Sequence, residues 1–67
     1  MMATTENRRL AAARVLAGLT QRQLAQRVGT KEIEISRIET GRACPAEEVK
    51  RRIAEVLGKP TFEIFDC

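Results

Sequence analysis

Apolar residues recur along this chain at steps of three and four, and a glycine interrupts the pattern four times, at Gly18, Gly29, Gly41 and Gly58. That spacing is the helical period, and glycine just past the last periodic residue is the usual left-handed stop. No stretch alternates apolar and polar residues as a half-buried strand would. The pattern predicts five helices and an all-α fold. Helix 1 covers about residues 7–17, with Leu10, Ala13, Arg14 and Ala17 on one face. Helix 2 opens at Thr20, where Gln23 follows at the capping-box distance, and buries Leu24, Ala25 and Val28. Helix 3 covers about residues 31–40, with Ile35, Ile38 and Glu39 inward. Pro45 stands where helix 4 is expected to begin, and Val49, Ile53, Val56 and Leu57 form its core face. Pro60 starts a short last turn carrying Ile64 and Phe65.

Two charges interrupt these apolar stripes, Arg14 on helix 1 and Glu39 on helix 3. A lone Arg on such a stripe usually snorkels to water. Two opposite charges, each displaced toward the core, make a mutual pair the more economical reading. Removing one partner of a buried pair costs roughly 3–5 kcal/mol, since the other is left desolvated. The pair would fix helix 1 against helix 3.

Size and composition restrict the chemistry. Sixty-seven residues allow one domain, whose single core supplies no more than roughly 3–5 kcal/mol. Residues 1–6 are expected to be flexible. The chain has no His, Trp or Tyr, so it lacks an imidazole base or metal ligand. Its two cysteines, Cys44 and Cys67, are too few for a four-thiolate zinc site or the usual disulfide scaffold. Both are expected to be free thiols in a reducing compartment. An enzyme could rest only on Cys44, and no neighbour in sequence would activate it. No catalytic role, metal or cofactor is expected.

Charge and hydropathy add location and partner. Arg8-Arg9 before LAAARVLAGL imitates a secretion signal, but Arg14 breaks the apolar run, so the segment reads as an amphipathic helix. No apolar run approaches the ~18 residues of a membrane span. The expected location is the cytoplasm, with no membrane partner. Net charge is +3, unevenly spread. Residues 1–31 carry six basic side chains against one acid, a net of +5, and residues 32–67 carry six against eight, a net of −2. A basic front half suits a polyanion, although a solvated surface gives the same count.

The outward face of helix 3 carries Ile33, Ser36, Arg37 and Thr40. Apolar contact suits a thymine methyl, and Arg suits the paired acceptors of guanine. A singly exposed Ile is also common on surfaces and needs no function.

The run GLTQRQLAQRVGTKEIEISRIETGRACP resembles the helix-turn-helix of the lambda-repressor-like, or Xre/Cro, family. Matching positions are Leu10, Arg14, Gly18 through Gln21, Leu24-Ala25, Gly29, Ile35 through Glu39, Gly41 and Pro45, and the ending LGKPTFEIF resembles the family's closing helix. The resemblance spans roughly residues 7–65. It implies a five-helix bundle whose third helix enters the major groove of double-stranded DNA. Carried over by position, Glu32, Ile33 and Arg37 would read bases, with Ser36 and Thr40 alongside. Gln21, at a helix N-terminus, and Arg42 would bind phosphate, with Arg22, Arg27 and Lys31 setting position. Arg14 and Glu39 fall on the family's interhelical bridge. The implied function is a sequence-specific transcriptional regulator, a repressor or autoregulator, bound as a homodimer to half-sites about 34 Å apart. Phe62 and Ile64 are the candidate dimer contacts.

Three departures from the family pattern change the picture. One is Phe62, which stands where the family commonly has a polar residue and is either extra core or an exposed contact for a second copy. Lys31 replaces the usual Ser or Thr cap of helix 3, which leaves Thr30 to cap one residue early. Glu32 and Glu34 put carboxylates near the DNA face. They would penalise wrong sequences, or mark a domain turned toward a protein partner, as in the antitoxin of a toxin pair or a co-regulator.

Overall fold

In the computed structural model, which describes residues 6–67, the helices are α1 (Arg8–Leu16), α2 (Gln21–Val28), α3 (Glu32–Glu39), α4 (Glu47–Leu57) and α5 (Thr61–Ile64). Local chemistry sets most of these limits. Asn7 Oδ1 accepts the Leu10 amide at 2.9 Å and starts α1. Thr20 and Gln23 cap α2 reciprocally, at 3.0 and 2.9 Å. Gly29, with φ of 86°, then lets the Thr30 amide turn back to the Ala25 carbonyl at 2.9 Å. That sharp turn sets α3 across α2.

Three boundaries differ from expectation. Lys31, not Thr30, is the N-cap of α3, and no side chain bonds there. The Thr30 amide closes the preceding helix, so this residue belongs to the turn. α4 begins two residues past Pro45, and its first turn takes Glu47 and Glu48, whose charges suit the positive end of a helix. Ala17 is exposed because α1 has ended at Leu16.

Each helix sends one large side chain to full burial: Leu10, Leu24, Ile35, Ile53 and Ile64. Ala25, Val28, Ile38, Ala54 and Phe65 complete this core. α2 packs on α3 and α4, while α1 packs on α5 and α3. Ile64 is therefore a core residue and no dimer contact, a correction to the sequence reading. Phe62 and Ile64 stand two residues apart, about 200° around a helix, so only one of them can face inward. Phe62 is 73% exposed.

The cysteines are also corrected. Cys44 and Cys67 form a disulfide, with Cα atoms 6.1 Å apart and a separation of 23 positions in sequence. α5 turns the chain back over the α3–α4 loop and brings the two together. Closing a loop of that length stabilises by about 3 kcal/mol through lost freedom of the unfolded chain. Next to it lies Lys50, only 6% exposed, whose ammonium donates to Glu47 at 3.3 Å and to the backbone oxygen of Cys67. No helix among the described residues is long and apolar enough to cross a membrane.

Candidate nucleic-acid interface

Arg14 and Glu39 meet at the base of α3. The guanidinium donates from Nε to Glu39 Oε2 at 2.7 Å, from Nη2 to Oε1 at 3.2 Å, and from Nη1 to the Leu19 carbonyl at 2.8 Å. Only 14% of the Arg14 side chain and 8% of that of Glu39 is exposed. Two further bonds converge on the same residue. Gln21 Nε2 donates to Glu39 Oε1 at 3.0 Å, and the Asn7 amide donates to the Glu39 carbonyl at 2.9 Å. One carboxylate thus ties α1, the start of α2 and the end of α3. A planar guanidinium with two parallel donors fixes angle as well as distance. The network sets how α3 projects.

What α3 projects is an amphipathic edge. Ile35 and Ile38 face the core, so the side half a turn away carries Ile33, Arg37 and Thr40, all exposed, with Ser36 half-buried. Ile33 is 54% exposed. Glu32 and Glu34 occupy the first turn of α3, where they favour the helix dipole. Arg22, Arg27, Lys31, Arg37 and Arg42 are all exposed, and none has an ion-pair partner among the described residues. Unpaired surface cations have least to lose by meeting a polyanion.

Two side chains expected at the DNA surface are partly occupied. The Gln21 side chain spends a donor on Glu39, but the backbone amides of Gln21 and Arg22 bond to nothing among the described residues. The start of α2 thus keeps free N–H groups at the positive end of a helix. Thr40 donates its hydroxyl to the Ser36 and Arg37 carbonyls of its own helix, at 3.0 and 3.3 Å, and has no proton left for a phosphate oxygen. Arg42 is carried on a firm loop. Its amide and that of Ala43 both donate to the Arg37 carbonyl, at 2.8 and 3.2 Å.

One surface feature escaped the sequence reading. Leu16, 83% exposed, lies with Phe62 along a shallow groove between α1 and α5, rimmed by Arg9, Lys59 and Glu63. The signal was present, since Leu16 falls outside the apolar stripe of helix 1.

Comparison with known proteins agrees with this architecture. The profile of a family described as helix-turn-helix matches residues 10–64. Among solved structures, the restriction-modification controller protein C.AhdI from Aeromonas hydrophila is similar at a TM-score of 0.83 and 24% identity, over 92% of this chain and 94% of that one. At that identity the likeness shows a shared fold. No curated protein matches the chain.

Proposed function

This chain belongs to the helix-turn-helix family, of the Xre, lambda-repressor-like type whose members are DNA-binding transcription regulators, and we propose that it represses or autoregulates a promoter by reading the major groove with α3. The observation that carries the reading is the exposed edge of Ile33 and Arg37, braced from behind by the buried Arg14–Glu39 pair. Arg37 would pair with guanine, Ile33 would meet a thymine methyl, and Glu32 would accept from the cytosine amino group. Arg22, Arg27, Lys31 and Arg42, with the free amides at the start of α2, would hold phosphates and fix register. Ser36 and Thr40 lie beside these contacts, Thr40 by packing since its hydroxyl is spent. No catalysis, metal or cofactor enters this role, and the site of action is the DNA-containing cytoplasm.

So small a reading edge calls for two copies. A homodimer would place two α3 edges on half-sites about 34 Å apart. Phe62 and Leu16 offer the apolar contact for it, in a groove that no residue of α3 lines. A second reading rests on Glu32 and Glu34, which repel phosphate and would suit a basic protein partner. Selection of bound fragments from random DNA decides between the two. A palindromic motif is expected, with log K falling by about 0.9 per phosphate neutralised as log salt rises. Recovery of no enriched sequence, together with binding that salt does not change, would remove the DNA reading.

A further inference from the structure

We propose that the Cys44–Cys67 bridge is a thiol-exchange site, at which a small dithiol opens a clasp over the loop carrying Arg42 and weakens DNA binding. The DNA part of this inference rests on the function proposed above; the clasp does not. Cys44 lies two residues after Arg42, in the loop that hangs from the end of α3 by the bonds of Arg42 and Ala43 to Arg37. The segment Asp66–Cys67 that closes over this loop touches three separate elements. Asp66 pairs with Arg9 of α1, the Cys67 backbone oxygen accepts from Lys50 of α4, and the Cys67 sulfur is bonded to Cys44. Arg9 and Asp66 are both largely exposed, so their pairing holds the segment weakly. The covalent bond is the strong tether, and breaking it leaves the others to compete with water.

The bridge is also reachable. Both cysteines are exposed, and both line a cleft of about 620 Å³ together with Arg8, Arg42 and Asp66. A dithiol thiolate attacks one sulfur, forms a mixed disulfide and expels the other cysteine as a thiolate, which takes up a proton. The second thiol of the reagent then closes on the mixed disulfide and releases the second cysteine. The protein gains two electrons and two protons, and the dithiol is oxidised to a cyclic disulfide. Where cellular thiols are kept reduced, as around DNA in a cytoplasm, disulfides are usually transient and redox-sensing.

The test equilibrates the full chain in buffers of defined ratios of reduced to oxidised dithiothreitol. Alkylation followed by mass measurement gives the redox state. A thermal melt, amide exchange at Arg42, Ala43 and Phe65, and Kd for the selected DNA fragment are then read in each buffer. The Phe65 amide now donates to Thr61 at 2.8 Å. On reduction its exchange should quicken roughly tenfold while the helical signal at 25 °C persists. The Tm should fall by about 10–20 °C. Kd should rise about fivefold or more. Cys44→Ser should resemble the reduced chain in every buffer. Complete alkylation of both cysteines in the untreated, air-oxidised chain would overturn the bridge itself. Loss of the helical signal on reduction would overturn the clasp, since the bond would then staple the whole fold. Unchanged exchange with DNA binding intact overturns the clasp and leaves the DNA reading standing. Quickened exchange in a chain that binds no DNA in either state does the reverse, and takes with it the proposed effect on affinity.

Discussion

Two ion pairs of this molecule have the same length, yet different effect. Between α1 and α3, Arg14 and Glu39 are almost wholly enclosed and share their hydrogen bonds with Leu19 and Gln21. Within α4, Arg52 reaches Glu48 at the same 2.7 Å, but 52% and 68% of these side chains is exposed. Equal distances conceal unequal consequences. In water the ions lose little by separating, whereas an enclosed ion left alone has nowhere to recover its hydration. Lys50 is intermediate, enclosed itself but paired with the exposed Glu47.

Substitution sharpens this comparison. The largest effect is expected from Arg14→Ala, which strands the Glu39 carboxylate and should cost about 3–5 kcal/mol. A thermal melt would show a chain largely unfolded at room temperature, and a melt close to that of the parent would break the comparison. Next comes Arg37→Ala, at the edge that the pair braces. It should leave the melt unchanged yet weaken DNA binding by about 1–3 kcal/mol and relax choice at one base position, as read by titration against single-base variants of the selected site. Lys50→Met should cost about 1 kcal/mol or less, because the long stem stays packed and the Cys67 oxygen can turn to water. The smallest effect is expected for Arg52→Ala, within about 0.5 kcal/mol in urea titration.

The first of these regions was legible from the chain alone, and the last was not. Arg14 and Glu39 announced themselves by sitting on apolar stripes, where a charge needs a reason. Lys50 gave no such signal, because a single Lys beside Val49 in a charged helix reads as solvated. Its burial follows from the return of Cys67 over α4. The α3 edge was legible as a pattern of Ile33 and Arg37 opposite Ile35 and Ile38. The occupation of Gln21 and Thr40 was not, since a short polar side chain near a helix end chooses among partners within one or two ångströms.

Short-range order decided the five helices, their caps at Asn7 and Thr20, and the inward stripes, because helical periodicity and capping act over three or four residues of chain. Only the packed structure decided which side of the four-residue α5 goes inward, with Ile64 buried and Phe62 left out. It alone joined Cys44 to Cys67 across 23 residues. Such choices depend on how rods cross in space, and that geometry is set by the summed fit of the core and not by any one stretch of sequence.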